Sequence, residues 1–231
     1  MGCDGKPGVL SGLKRVHSFD LWGVVVDKHL LGQWKIETYE KLSKKEKVPE
    51  DNMKRVVREY RDLLDGKSWA TGSRKSEIID AIDRPALANG IRPYYASAFM
   101  KDALDAMREI LDADEGVMIF TSKPASGLRE QLAACLGERM GEIRWGNKSD
   151  PDAFREVYEQ ETQLGNRMVT HTADELPELI AARKSGLFHP NGLIHINRND
   201  SNSEDTVALE GIHCYVDDLR DVKYTTLDFS P

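Results

Sequence analysis

The feature that most constrains this chain is a repeated alternation of short apolar runs with single amphipathic helices. Residues 16–26 read VHSFDLWGVVV, dense in β-branched and aromatic side chains, and predict a first strand. Further on, periodicity predicts helix 101–113, strand 117–121, helix 126–136, strand 142–145, helix 151–164, strand 167–171, helix 176–185 and strand 193–196. A short helix near Val207 and a last strand over 212–216 complete the pattern, and Gly186 stands at a plausible C′ stop. Strands joined by single helices require right-handed crossovers. The result is a mostly parallel sheet with helices on both faces. In such sheets the ligand crevice lies beyond the carboxyl ends of the strands.

Residues 28–93 interrupt this alternation. The segment is rich in Lys and Glu and helical in period. Leu30, Trp34, Tyr39 and Leu42 form one apolar set; Met53, Val56, Val57, Tyr60, Leu63 and Leu64 form another. It is read as a helical insert, 28–93, in a core made of 15–27 and 94–231. A chain of 231 residues has room for a core domain with a smaller insert. The net charge of −7 argues against a nucleic-acid partner, which would need a positive field. No stretch approaches the roughly 20 apolar residues of a membrane span, and the first residues lack a signal-peptide pattern. Cys3, Cys135 and Cys214 are too dispersed for a zinc site. A reduced, cytoplasmic protein is expected. A homodimer is compatible with the sequence but not dictated by it.

Four polar residues fall at predicted strand ends: Asp20, Thr121, Lys148 in the loop after EIRW, and Asp174 after MVTHTA. Each alone is ordinary, since caps and turns use such residues. If the strands adjoin, the four bring two acids, a hydroxyl and a base to one edge. A carboxylate inside an apolar strand, as Asp20 is, is costly unless paired or metal-bound. Other signals fail. Gly66-Lys67-Ser68 lacks the earlier glycine of a phosphate loop, because Arg61 stands there. The six histidines are scattered; His171, near the segment 173–187, could line the crevice, but a capped or surface residue is the first reading.

The ordered set of segments resembles the motifs of haloacid dehalogenase-like hydrolases. FDLWGVVVD (19–27) is similar to the first motif, FTSKP (120–124) to the second, NKSDPDAF (147–154) to the third and ADELPELIAARKSGL (173–187) to the fourth. YVDDLRDV (215–222) is similar to the tail of that core. The resemblance implies a three-layer Rossmann-like core with a parallel sheet and an inserted helical cap domain that acts as a lid. It implies that Asp20 attacks an electrophilic centre, usually phosphorus, and forms a covalent aspartyl intermediate. Thr121 and Lys148 would hold the transferring group, with Ser122 beside them on the substrate. Magnesium would be held by Asp20, the Trp22 carbonyl and Asp174, with Glu178 holding either a metal-bound water or Lys148.

One position departs from the resemblance. Phosphatases of that kind carry a second Asp two residues after the nucleophile, as general acid and base. Here the residue is Trp22, and indole transfers no proton at neutral pH. Three readings stay open. In a haloacid dehalogenase the halide leaves unprotonated, but that branch lacks the metal-binding Asp that Asp174 would be. In a phosphonatase-like hydrolase a cap lysine forms a Schiff base; Lys75 has that spacing after Gly72, with Arg74 as a cationic neighbour. In the third, the acid is simply lost, and the chain is an impaired, ligand-binding or interaction protein in which Trp22 packs on the ligand. The expectation is a magnesium-dependent hydrolase of a small phosphorylated or phosphonylated metabolite.

Overall fold

The computed structural model describes residues 13–68, 72–122, 125–137, 139–198, 204–212 and 214–227. Its chain divides into two compact units. One comprises 1–25, 100–125 and 129–231; the other comprises 26–99 and 126–128.

The larger unit is built on six strands: β1 (Lys14–Asp20), β2 (Gly116–Thr121), β3 (Ile143–Trp145), β4 (Asn166–Ala173), β5 (Leu193–Ile196) and β6 (Cys214–Val216). They form one sheet in the order β3-β2-β1-β4-β5-β6, and every pairing is parallel. This matches the expected fold class, an α/β layered core. Chain order reverses beside β1, so the crevice at the carboxyl ends of β1 and β4 is the topological switch point.

The other unit holds α1 (Lys28–Lys45), α2 (Glu50–Leu64), α3 (Gly72–Ala88) and a 3-10 turn, Tyr95–Ala98. Asp27 starts α1 by accepting from the backbone N–H groups of His29 and Leu30 at 2.8 and 3.0 Å. Ile36, Tyr39, Val57, Tyr60, Ile78 and Ile82 form its small apolar core.

The sheet-bearing unit adds α4 (Lys101–Asp112), α5 (Leu128–Leu136), α6 (Pro151–Gln163), α7 (Leu176–Lys184) and α8 (Glu204–Leu209). Alternation along the strands sends successive side chains to opposite faces. On one face Val16, Met118, Phe120 and Ala173 pack with Phe154 and Val157 of α6, Leu179 and Ala182 of α7 and Val207 of α8. On the other, Phe19 and Thr172 meet Tyr224 of the last 3-10 turn, with the rings of Phe19 and Tyr224 5.3 Å apart. Helical cover on both faces makes three layers.

The first strand is shorter than its apolar run predicts. It ends at Asp20, and 21–26 form a turn in which the Val25 N–H bonds the Leu21 carbonyl at 3.1 Å. Val24, Val25 and Val26 are fully buried nonetheless. The valines read as strand because burial, not extension, selected them. Gly23 makes the turn possible, at φ +80°.

Candidate active site

Each of the four strand-end residues sits where backbone geometry puts it at the carboxyl edge. Asp20 is the last residue of β1 and is buried, and its Oδ1 accepts from the Leu21 N–H at 2.5 Å. Thr121 is the last residue of β2, next to it. The Thr121 side chain is buried, and its Oγ1 makes no hydrogen bond among the described residues. Ser122 follows and is exposed. Lys148 is carried by a tight loop. The Gly146 N–H bonds the Thr121 carbonyl at 3.0 Å, and the Asp150 N–H bonds the Asn147 carbonyl at 2.9 Å. Asp150 then caps α6, accepting from the Asp152 N–H at 3.0 Å, with Pro151 at N1. This anchors both ends of the loop and turns Lys148 inward.

The Lys148 ammonium, only 10 % exposed, is ion-paired with Asp20 Oδ1 and lies 2.5 Å from Glu178 Oε2. Glu178 comes from the first turn of α7 and is buried, not an exposed helix residue. Its other oxygen, Oε1, lies 2.8 Å from His171 Nε2, and His171 Nδ1 lies 3.1 Å from Ser18 Oγ. His171 is fully buried, which corrects its reading as a capping or surface histidine. Sequence reasoning also missed Ser18. The available signal was that Ser18 and Asp20, two apart on a strand, share a face. That His171 lies across from Ser18 follows only from the β1–β4 register.

Two carboxylates thus share one ammonium in a dry place. Burial, reinforced by the Glu178 charge and opposed by Lys148, pushes Asp20 up to about 7. Burial, again against Lys148, pushes Glu178 up to about 7. Burial works against the Lys148 ammonium, but Asp20 and Glu178 outweigh it and hold its pKa above the ordinary lysine value. Burial, with Lys148 adding to it, drives His171 down to about 3, so the imidazole is neutral.

Asp174 follows β4 directly, as Asp20 ends the adjoining β1. It is buried, and the chain turn after Asp20 presses against it: a Cβ built on Gly23 would lie 2.0 Å from Asp174 Oδ2. The Asp174 carboxylate thus packs on the turn that leaves Asp20, which brings the two acids and the Trp22–Gly23 backbone to the same strand edge. Asp20 Oδ1 accepts from the Leu21 N–H and pairs with Lys148. Two carboxylate oxygens and a backbone carbonyl form an all-oxygen donor set that fits a hard divalent cation such as magnesium, which keeps waters in its remaining positions. Among the described residues no cluster of three His, Cys, Asp or Glu side chains could hold a metal, so such a cation would depend on the carbonyl. Glu178 has both oxygens engaged, by Lys148 and His171.

Trp22, in the position after Leu21, is half-buried. Arg74 and Lys75 belong to the helical unit. Both are exposed on α3, and Arg74 pairs with Glu59 at 2.7 Å and Glu77 at 3.0 Å.

No family model matches the chain, and no curated protein matches its sequence. Its fold, however, has clear counterparts. A haloacid dehalogenase-like hydrolase from Streptococcus pneumoniae shares 17 % identity at TM-score 0.55, over 94 % of this chain and 99 % of that one. A protein described as a predicted phosphoglycolate phosphatase from Haemophilus somnus shares 14 % at TM-score 0.56, over 95 % and 100 %. A protein provisionally assigned as a β-phosphoglucomutase from Thermotoga maritima shares 15 % at TM-score 0.55, over 92 % and 100 %. The chain has the fold of the haloacid dehalogenase-like hydrolases. At these identities the likeness speaks for the fold, and chemistry has to be argued from the site.

Proposed function

We propose that the protein is a magnesium-dependent hydrolase of a small phosphorylated or phosphonylated metabolite, with Asp20 as nucleophile. The observation that carries this reading is the Asp20 carboxylate at the switch-point end of β1, tied to Lys148 and next to Thr121, whose hydroxyl has no partner among the described residues. Such a group can attack phosphorus in line, while Lys148 and Thr121 steady the charge on the transferring oxygens. The bond to the leaving group breaks as the aspartyl–phosphorus bond forms. Water then cleaves that adduct and restores Asp20. A cation held by Asp20, the Trp22 carbonyl and Asp174 would neutralise phosphoryl charge.

The test is a panel of phosphate monoesters and phosphonates, with and without magnesium, on the full chain and on Asp20→Asn. Turnover that needs magnesium, falls by a factor on the order of 10⁴ or more in the variant, and leaves a trappable aspartyl adduct is the expected result. Turnover surviving in Asp20→Asn sinks the proposal.

Trp22 favours a second reading. Without an acid at this position, phosphomonoester leaving groups depart unassisted, so the chain would bind such ligands and turn them over slowly. Trp22→Asp should then raise phosphomonoester hydrolysis by about 10²-fold or more. An unchanged rate means the missing acid is not what limits it. For the phosphonate branch, borohydride with an aldehyde substrate should label Lys75, and unlabelled Lys75 in an active enzyme ends that branch.

A further inference from the structure

Beyond Asp20, Lys148 and Thr121, the buried chain Ser18–His171–Glu178–Lys148 reaches the proposed nucleophile from behind. We infer that His171 is a positioning residue: it aims Glu178 so that the second carboxylate oxygen holds Lys148 against Asp20. For its catalytic consequence the inference rests on the proposed role of Asp20.

The geometry has few degrees of freedom. His171 is fully buried, and its ring is boxed in by Phe154 at 5.0 Å and 75°, Phe188 at 6.2 Å and 42°, and Phe120 at 6.3 Å and 65°. Edge and tilted contacts of this kind fix the ring plane. A neutral imidazole donates from one nitrogen and accepts at the other. Above about pH 7, where Glu178 is ionised, its carboxylate only accepts, so Nε2 carries the proton toward Glu178 Oε1 at 2.8 Å and Nδ1 accepts from Ser18 Oγ at 3.1 Å. The ring therefore acts as a rigid strut from β1 to Glu178. With Oε1 pinned, Oε2 is presented to the Lys148 ammonium at 2.5 Å. Lys148 sits on a loop, and a loop lysine left to itself would turn toward water. Groups that orient a site residue through a fixed hydrogen bond typically change its performance 10- to 100-fold when removed.

Labelling the full chain with an acetylating reagent, read by peptide mass spectrometry, follows Lys148 independently of any substrate. Lys101, exposed on α4, is the internal reference. In His171→Phe, which keeps a ring among the phenylalanines, Lys148 should label on the order of 10-fold faster relative to Lys101. In His171→Gln, whose amide can still donate toward Glu178, most of the protection should return. A Lys148 rate equal to that of the unaltered protein in His171→Phe overturns the inference, as does an equal rise at Lys35, whose side chain is likewise mostly covered. Should His171→Phe fail to fold, long-range proton–nitrogen NMR of the unaltered protein decides. Above about pH 7, where Glu178 is ionised, a proton on Nε2 supports the strut and a proton on Nδ1 refutes it. Protected Lys148 in a protein with no hydrolase activity would leave the strut standing and remove the proposed reaction.

Discussion

Two buried histidines lie on the two central strands, and they are wired alike. His17 of β1 reaches Thr170 Oγ1 of β4 at 2.9 Å through Nδ1 and Glu115 Oε2 at 2.5 Å through Nε2. His171 of β4 reaches Ser18 Oγ of β1 through Nδ1 and Glu178 through Nε2. Each thus joins a hydroxyl on the neighbouring strand to a glutamate. They differ in what the glutamate does next. Glu115, in the loop before β2, is 15 % exposed and passes its other oxygen to Arg15 at 3.3 Å. Arg15 in turn donates to the Tyr224 carbonyl at 3.2 Å, which ties down the last 3-10 turn. Glu178, 3 % exposed, passes its other oxygen to Lys148 and through it to Asp20. The same local unit serves as a seam at one end of the sheet and as a support for reactive groups at the other. The partner of the glutamate, not the histidine, separates the two roles.

The sharpest way to break this comparison is to neutralise both glutamates. Glu178→Gln should lower turnover about 10- to 100-fold, while Glu115→Gln should leave turnover unchanged and cost about 1–2 kcal/mol in urea unfolding. Equal losses of activity in both variants would mean that the two ends are not functionally distinct.

Acid titration separates the ends next. A histidine held below its unfolded pKa of about 6.5 contributes stability that is present above that pH and is lost as pH falls toward the folded value. Burial, partly offset by Glu115, lowers His17 in this way, and burial takes His171 to about 3. Asp20 and Glu178, raised to about 7, run the opposite way. The stability linked to them is complete below their unfolded values of about 4 and is lost as pH rises through 7. At the carboxyl end two carboxylates oppose one histidine over pH 4–7, so that end gains stability as pH falls, while His17 loses it. In metal-free protein the surplus carboxylate therefore masks the acid loss due to His17, and removing His17 exposes the gain. Between pH 6.5 and 5, His17→Gln should shift the slope of unfolding free energy against pH by up to about 1.4 kcal/mol per pH unit in the direction of acid tolerance. Identical slopes for His17→Gln and the unaltered chain would discard that account.

The smallest effect concerns the hydroxyls. Ser18→Ala and Thr170→Val should each cost about 1 kcal/mol in unfolding free energy, with only Ser18→Ala also lowering turnover.

The layered fold was legible in the sequence because strand and helix periods are local, and the apolar runs around Val117, Val169 and Ile194 carry them. The strand ends Asp20, Thr121 and Asp174 could be read for the same reason. Sequence has no local signal for strand order. Nothing in VHSFD or MVTHTA says that β1 lies beside β4, and the Ser18–His171 bond exists only in that register. The register itself shifts between Val16 and His17, which changes which face of β4 the later residues occupy. The over-long first strand has a different origin: buried valines after Gly23 look extended to any composition-based reading, though they sit in a turn.

Gly23 also bears on how sequence variants of this protein should be interpreted. A single methyl there would collide with the Asp174 carboxylate while removing no charge and no hydrogen-bonding side chain. Glycine-to-alanine at this codon, which a chemistry-based score would rate as mild, should be ranked with outright loss of the acid it faces.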